Sequence, residues 1–139
     1  MNVGGSPAVV MPAAMRDQIV AHAIALAPRE CCGIVSGRSG ELQELHELTN
    51  LEPGPDRYRV DDAELFRLYQ DLDRRGDEVV AIYHSHPTSP AYPSATDVDL
   101  AAWADVVYMI CSLAQHGQPT LRGFRIVDRA IAELPLIFR

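Results

Sequence analysis

Short apolar segments rich in β-branched residues alternate along this chain with segments whose apolar residues repeat at helical spacing. Apolar segments of this kind, bounded by glycine, proline or small polar residues, are typical of buried strands. The expected strands are 8–11, 31–36, 41–49, 78–83, 106–113, 121–127 and 130–134, and the expected helices are 13–27, 61–75 and 94–104. This alternation predicts an α/β or α+β fold in which about three helices flank a mixed β-sheet.

The composition is that of one globular domain. The chain has 139 residues, of which 47% are hydrophobic and 22% charged, and this excludes wholesale disorder. We expect residues 1–7 to form a flexible tail and residues 8–139 to form a single domain. The net charge of −7 gives the chain no general attraction for phosphate backbones, so nucleic-acid binding is not expected.

Other function classes are also disfavoured by the sequence. No apolar run approaches the ~20 residues of a membrane helix. The N-terminus lacks the basic start and apolar core of a secretory signal, so a cytoplasmic location is expected. The three cysteines, Cys31, Cys32 and Cys111, lack the spacing of a disulfide framework or a structural zinc site, and we expect them to be core thiols.

The segment after the fourth expected strand carries the most informative motif. His84 and His86 are two residues apart, so on an extended chain their side chains point to the same side. Asp97 lies in the first turn of the next helix, from which a carboxylate can reach back toward that strand end. Two imidazoles and one carboxylate form the ligand set of a catalytic zinc site, in which a fourth position is left for water.

Each part of this motif also has an ordinary structural explanation. A His-x-His pair can simply be polar residues near a strand end, and Ser94-x-x-Asp97 resembles a helix cap. Asp99 is a rival ligand, although it faces roughly the opposite side of the helix. The coincidence of an apolar strand, two convergent histidines, a proline loop and a Ser–Asp helix start is more specific than any single part.

Glu30 is the glutamate that we expect to act as a base at such a site. It lies between Pro28 and a strand of buried character, where a solvent-facing glutamate would be out of place. A metal lowers the pKa of a bound water to ~7, so a carboxylate is sufficient to remove its proton. An ordinary loop glutamate remains the alternative interpretation of Glu30.

Taken together, these residues resemble the signature of the JAMM (MPN-plus) metalloproteases. Their pattern is a distant Glu, then His-x-His, seven residues, Ser, two residues and Asp, and Glu30, His84-Ser85-His86 and Ser94-x-x-Asp97 match it throughout. The likeness extends over nearly the whole chain and is greatest to the small actinobacterial branch of CysO-cysteine peptidases. The resemblance implies a cytidine-deaminase-like fold with a mixed, mostly antiparallel sheet and about three helices.

The resemblance also implies a mechanism and a partner. Zinc would be held by His84, His86 and Asp97, Glu30 would be the general base and then the acid, and Ser94 would donate a hydrogen bond to the oxyanion. The substrate would be a ubiquitin-like sulfur-carrier protein ending in Gly-Gly, and hydrolysis of the amide bond at its terminal glycine would release cysteine. Tyr92 is a candidate for contact with the substrate; the alternative is that its ring only covers the metal pocket. A homodimer is a further family-level expectation.

Other hypotheses stay open at this stage. The enzyme could be an isopeptidase or processing protease for another ubiquitin-like conjugate. A non-catalytic MPN scaffold would typically lack the ligands that are intact here. A zinc nucleoside deaminase needs His-x-Glu and Pro-Cys-x-x-Cys motifs, and neither is present.

The remaining notable residues have structural interpretations. His22, His46 and His116 are expected at the surface or an interface, and Trp103 is expected to pack on a helix face. Ile24 is expected to widen the buried stripe of the first helix. The arginines expected on a solvated face are Arg57, Arg59, Arg67, Arg74 and Arg75.

Overall fold

A computed structural model describes residues 7–139, so residues 1–6 of the expected tail lie outside the described residues. Within residues 7–139 the chain forms three helices and eight strands. The helices are α1 (Ala13–Leu26), α2 (Asp62–Arg75) and α3 (Ala95–Leu100). The strands are β1 (Val9–Met11), β2 (Cys32–Gly37), β3 (Glu44–Leu48), β4 (Glu78–His86), β5 (Val107–Ser112), β6 (Thr120–Val127), β7 (Ala130–Leu134) and β8 (Leu136–Phe138).

Six of these strands form a mixed sheet in the order β3-β2-β4-β5-β6-β7. Strands β4 and β5 are parallel, while the other neighbouring pairs in this sheet are antiparallel. The parallel pair requires a crossover connection, and the proline loop and α3 supply it. This arrangement confirms the predicted α+β fold with a mostly antiparallel sheet and three helices.

A second, two-stranded sheet was not predicted. Strand β8 follows β7 after the single residue Pro135, which has no N–H with which to continue the β7 ladder. Beyond that proline the chain pairs in parallel with β1, with Val9 opposite Leu136 and Met11 opposite Phe138. The pairing joins segments from the two ends of the described chain, and a local sequence pattern does not reveal it.

The two longer helices cover the sheet through the apolar positions that their periodicity indicates. Met15, Ile19 and Ala23 of α1 are buried, but Ile24 is 57% exposed, so its placement on the buried stripe was wrong. Leu65, Leu68 and Tyr69 of α2 pack against a core cluster that includes Ile34. Asp61 caps α2 through the Ala63 N–H, and Gly76 ends it in the left-handed conformation that glycine adopts without strain.

The first helix also buries a histidine that was expected at the surface or an interface. His22 is 6% exposed, and its Nδ1 lies 2.8 Å from the Tyr83 hydroxyl. Gly33 leaves the space that the Tyr83 ring fills, because a Cβ at Gly33 would lie 2.2 Å from that ring. The surface prediction for His22 was wrong because a histidine on an otherwise apolar helix face can be satisfied by a buried hydroxyl.

The cysteines are core residues, as predicted. Cys31, Cys32 and Cys111 are buried and unpaired. Burial raises the pKa of the Cys31 thiol to about 11 and the pKa of Cys32 and of Cys111 to about 12. These thiols are therefore protonated at neutral pH.

The third helix is shorter, and the fourth strand longer, than the sequence indicated. The helix expected at 94–104 ends at Leu100, and the Trp103 N–H donates to the Tyr108 hydroxyl 3.0 Å away as the chain turns toward β5. Trp103 therefore lies beyond the helix, where it contacts Tyr69. Strand β4 continues through His86 rather than ending at residue 83, so both histidines of the motif belong to the strand.

Among residues 7–139, no helix is both long and apolar enough to cross a membrane.

A candidate metal centre at the end of strand β4

Two histidines project from the C-terminal end of β4 toward one side of the sheet. His84 and His86 are each 4% exposed. His84 is paired with Cys32 of β2, and His86 is paired with Ser112 of β5. Since β4 lies inside the sheet, hydrogen bonds on both sides fix its backbone, and the direction of both imidazoles is set by the strand.

The third member of the cluster comes from the start of α3. The Ser94 hydroxyl accepts a hydrogen bond from the Asp97 N–H at 3.1 Å, and the Ser94 N–H donates to Asp97 Oδ2 at 2.9 Å. These two bonds form a capping box, with Asp in place of the usual Glu or Gln. The cap holds the Asp97 carboxylate at the helix start, where the structure turns it toward β4.

The three side chains meet at one point. Asp97 Oδ2 lies 3.1 Å from His84 Nε2 and 3.0 Å from His86 Nε2, and the two Nε2 atoms are 3.1 Å apart. The potential ligand atoms all lie within 4.8 Å of one another, and they form the one such group of three or more in the described part of the chain. The structure thus brings together the three predicted metal ligands.

The proline loop defines which nitrogen of His86 faces the cluster. His86 Nδ1 lies 2.8 Å from the carbonyl oxygen of Pro90, which can only accept, so Nδ1 carries the proton and donates. The loop is itself anchored, because the Ser112 hydroxyl donates to the Ser89 carbonyl at 2.6 Å. A donor bond at the outer nitrogen is the usual support of a metal-binding histidine, since it leaves the other nitrogen available.

The electrostatics of the cluster favour a cation. Burial on its own would raise the pKa of Asp97, but the hydrogen bonds from His84 and His86 outweigh it and hold this pKa well below its usual range. Burial likewise works against a charged His86, yet the bonds to Asp97 and to the Pro90 carbonyl raise its pKa. A half-buried carboxylate beside two buried imidazoles is a donor set that suits Zn²⁺.

Tyr58 closes one side of the cluster. Its ring stacks on His84 with the centroids 4.9 Å apart and the planes at 26°. The Tyr58 phenol is largely buried, and this burial raises its pKa above the usual range. The ring limits the rotation of His84 and keeps solvent from that side of the imidazole.

Glu30 is buried two residues before the start of β2, and its pKa is influenced by the charges of His86 and Asp97. It is 5% exposed, and the next residue, Cys31, is fixed by a hydrogen bond from its N–H to the Ser85 hydroxyl at 2.7 Å. Burial raises the pKa of Glu30 to about 7; the charge of His86 opposes this rise, and those of Asp97 and Asp56 add to it. A carboxyl group with this pKa can both accept and return a proton near neutral pH.

Three other residues considered in the sequence analysis, Ser94, Tyr92 and Asp99, lie at the protein surface. Ser94 is exposed beside Asp97, and its hydroxyl accepts from the Asp97 N–H, so its own proton is available for donation. The Tyr92 ring is 48% exposed and packs edge-on against Phe124 at 5.4 Å. Asp99 forms an exposed ion pair with Arg129 and takes no part in the cluster.

Sequence reasoning missed two parts of this centre. Tyr58 was assigned only to a short extended segment, although a lone aromatic residue within a loop of proline, glycine and charged residues could have indicated a buried contact. The Pro90 carbonyl that orients His86 belongs to the main chain, so side-chain identity could not reveal it.

Comparisons with known proteins agree with this architecture. Residues 12–127 match the family described as prokaryotic homologs of the JAB domain. The chain is 38% identical over 130 residues to the CysO-cysteine peptidase of Mycobacterium tuberculosis, covering 92% of this chain and 89% of the relative. It is 36% identical over 110 residues to a probable TtuB-protein conjugate cleaving protease of Thermus thermophilus, covering 77% and 73%.

A solved structure agrees as well. The solution structure of a protein from Desulfitobacterium hafniense superimposes with a TM-score of 0.81 at 30% identity, covering 96% of this chain and 93% of that one. The family match over residues 12–127 shows that the chain belongs to the prokaryotic JAB-domain family, the JAMM or MPN family whose motif the spacing of its histidines, serine and aspartate resembles.

Proposed function

We propose that this protein is a zinc-dependent peptidase that hydrolyses the amide bond at the C-terminal glycine of a ubiquitin-like sulfur-carrier protein. The observation that carries the proposal is the meeting of His84, His86 and Asp97 beside the buried Glu30. Family membership and relatives that are named as a peptidase and a protease support hydrolysis.

Three side chains would hold one zinc ion. His84 and His86 would contribute their Nε2 atoms and Asp97 its Oδ2 atom, because these are the atoms that converge. When bound, zinc supplies Lewis-acid chemistry, which lowers the pKa of water and polarises a carbonyl group. Three protein ligands are the number found in catalytic rather than structural zinc sites.

Glu30 would transfer a proton, and Ser94 would stabilise the negative charge of the intermediate. The Glu30 carboxylate takes the proton of the attacking water and delivers it to the nitrogen of the departing amine, and a pKa of about 7 suits both steps. The Ser94 hydroxyl donates to the oxygen that becomes negative in the tetrahedral intermediate, because its proton is not used in the cap that it forms with Asp97.

The names of the relatives support the proposed substrate class. The protein from M. tuberculosis is named a CysO-cysteine peptidase, and it matches 92% of this chain. For this chain we infer a carrier whose C-terminal Gly-Gly is joined to cysteine, so that hydrolysis releases cysteine and regenerates the carrier. Two glycines suit a narrow approach to a buried centre, because they have no side chains to exclude.

A second candidate is cleavage of a carrier–protein conjugate at a lysine side chain. The relative from T. thermophilus, named as a protease that cleaves TtuB-protein conjugates, favours it. Both reactions break an amide at the carrier's terminal glycine and differ in the leaving amine. A non-catalytic scaffold is disfavoured because the histidines and the carboxylate are all in place.

The test combines metal analysis with mass spectrometry. The purified protein should hold about one zinc ion per chain, and it should convert a carrier ending in Gly-Gly-Cys to the Gly-Gly form. Glu30→Gln should keep zinc and lose about 100- to 10,000-fold in kcat, the range of general base catalysis. The exposed variant Glu41→Gln is the matched control and should retain activity.

Each part can fail separately. If zinc binds but only carrier–lysine conjugates are cleaved, the second candidate is correct. A protein that binds no zinc and cleaves neither substrate would refute the proposed function. Activity of Glu30→Gln within a few-fold of wild type would remove Glu30 from the mechanism.

A further inference from the structure

Asn50 is a buried polar residue that the proposed mechanism does not use. It follows β3, is 4% exposed, and directs its side-chain amide into the space between the Glu30 main chain and the 50–60 loop. A buried amide is unfavourable unless its donors and acceptors are satisfied. The buried Asn50 amide must therefore find hydrogen-bond partners within the protein.

The amide of Asn50 is saturated by four main-chain partners. Its Nδ2 donates to the Glu30 carbonyl at 2.8 Å and to the Arg57 carbonyl at 3.4 Å. Its Oδ1 accepts from the N–H groups of Glu52 at 2.9 Å and Arg59 at 3.0 Å. Two N–H donors and two lone pairs are the full capacity of an amide side chain.

These partners belong to two segments that border the metal centre. One is the residue proposed as the base, Glu30. The other is the loop in which Tyr58 lies between Arg57 and Arg59 and stacks on His84. The Asn50 side chain thus connects the main chain of Glu30, the proposed base, to the main chain on both sides of Tyr58, whose ring covers the proposed ligand His84.

Neighbouring contacts make this join rigid. Arg29 donates to the carbonyl groups of Asn50 at 2.5 Å and Glu52 at 2.7 Å, so the residue before Glu30 holds the same loop. The loop is closed by the Leu51 N–H, which donates to the Arg59 carbonyl at 2.8 Å. Glu30 is therefore held from the loop side by Asn50 and, through Cys31, from the β4 side by Ser85.

We infer that Asn50 is a positioning residue, which fixes the main chain of Glu30 and the Tyr58 loop relative to His84, His86 and Asp97. This inference rests on the proposed function, because it assigns Asn50 to the geometry of that same site. Displacement of a reacting group by 1 Å can reduce a rate by about 100-fold. Loss of the Asn50 amide should therefore lower kcat without removing a zinc ligand or a substrate contact.

The test compares two variants with a matched control. Asn50→Asp keeps the acceptor for Glu52 and Arg59 but loses the donor to Glu30, and Asn50→Ser is an uncharged variant that is too short to span both segments. Glu64→Ala is the control, because Glu64 accepts two hydrogen bonds from the neighbouring residue Thr49 and none from the Glu30 segment. Zinc content, kcat, KM and amide hydrogen exchange of the zinc-free protein are measured for each.

We expect both Asn50 variants to retain about one zinc ion per chain and a KM within about twofold of wild type, while kcat falls about 10- to 100-fold. In both Asn50 variants, amide hydrogen exchange should accelerate in residues 29–32 and in residues 50–60. The control should keep kcat within about threefold and leave exchange at 29–32 unchanged. In the wild type, the amides of Glu52 and Arg59 should exchange slowly, because Asn50 accepts from both.

Three results would overturn the inference. The first is a wild-type kcat in a folded Asn50 variant, and the second is an equal fall of kcat in Glu64→Ala. The third is amide hydrogen exchange that changes in residues 50–60 but not in residues 29–32. If Asn50→Asp does not fold, the inference is tested by the kcat of Asn50→Ser and by the rates of amide hydrogen exchange of Glu52 and Arg59 in the wild type. If the wild type cleaves no carrier, the proposed function fails, whereas the exchange data still decide whether Asn50 couples the two segments.

Discussion

Two buried histidine sites lie on opposite faces of strand β4 and have different chemistry. Tyr83 points toward α1, where its hydroxyl meets His22. The next residue, His84, points to the other face, where it meets His86 and Asp97. All three histidines are nearly inaccessible to solvent, so burial by itself does not distinguish a structural histidine from a ligand.

The two sites differ in whether hydrogen bonds alone can satisfy the polar atoms that meet there. At His22 one ring nitrogen faces a hydroxyl, which can both donate and accept, so an ordinary hydrogen bond satisfies the pair. At the other face two Nε2 atoms and a carboxylate oxygen lie within about 3 Å of one another, and no placement of protons turns all three contacts into hydrogen bonds, because two Nε2 atoms that both donate to Asp97 cannot also bond to each other. Such a set is stabilised by a shared cation, which makes the second site a candidate metal centre.

The largest expected effect is the loss of metal from the second site. His86→Ala removes one of three proposed ligands, and we expect zinc affinity to fall roughly a thousandfold, since each ligand carries several kcal/mol of the binding energy. Equilibrium dialysis with zinc analysis measures it. His22→Ala is the matched control and should bind zinc as the wild type does; zinc retained by His86→Ala would contradict the assignment of the two sites.

The pH dependence of stability gives the next effect. In the zinc-free protein the pKa of Glu30 is raised from 4.5 to about 7, so its contribution to folding is fully present below pH 4.5 and is lost as pH rises through 7. The loss amounts to about 3 kcal/mol in the free energy of unfolding. Urea unfolding should therefore show that the stability of Glu30→Gln relative to wild type is higher at pH 8 than at pH 4.5. An equal difference at both pH values would show that the raised pKa is wrong.

At the His22 site we expect an effect on stability alone. His22→Phe leaves the buried Tyr83 hydroxyl without its partner, which costs about 1–3 kcal/mol in the free energy of unfolding. Adding Tyr83→Phe should recover part of this loss, because the unpaired hydroxyl is then gone. Thermal or urea unfolding measures both variants; zinc content should not change, and a change would mean that the two faces are not independent.

The smallest effect is expected for the rival carboxylate. Asp99→Ala breaks an exposed ion pair with Arg129, and such pairs contribute little, so the free energy of unfolding should change by no more than about 0.5 kcal/mol. Zinc analysis should still give about one ion per chain. A zinc-depleted Asp99→Ala protein would identify Asp99, rather than Asp97, as the ligand.

The candidate metal centre could be predicted further than the rest of the molecule because the directions of its three side chains follow local rules. His84 and His86 are two apart on a strand, and Asp97 is three residues from the serine that caps its helix, so each direction is set by short-range geometry. Tyr58 and Asn50 could not be placed in this way. Both come from the 50–60 loop, whose path depends on contacts with distant segments.

The fold shows the same division between local and long-range information. Strand and helix positions agree where periodicity and caps are present, as at Asp61 and Gly76. The prediction failed at α3, where the alanines after Leu100 favour a helix but the chain must extend to reach β5. It also missed β8, whose partner β1 lies more than one hundred residues away in the sequence. The homodimer stays a prediction.

The buried thiols bear on how such an enzyme would tolerate its own product. Disulfide exchange requires an accessible thiolate, and Cys31, Cys32 and Cys111 are buried with raised pKa values. If cysteine is released as proposed, the disulfide that forms when it is oxidised elsewhere would find no accessible thiolate on the folded chain with which to exchange. Turnover could proceed amid oxidised low-molecular-weight thiols without covalent inactivation of the protein.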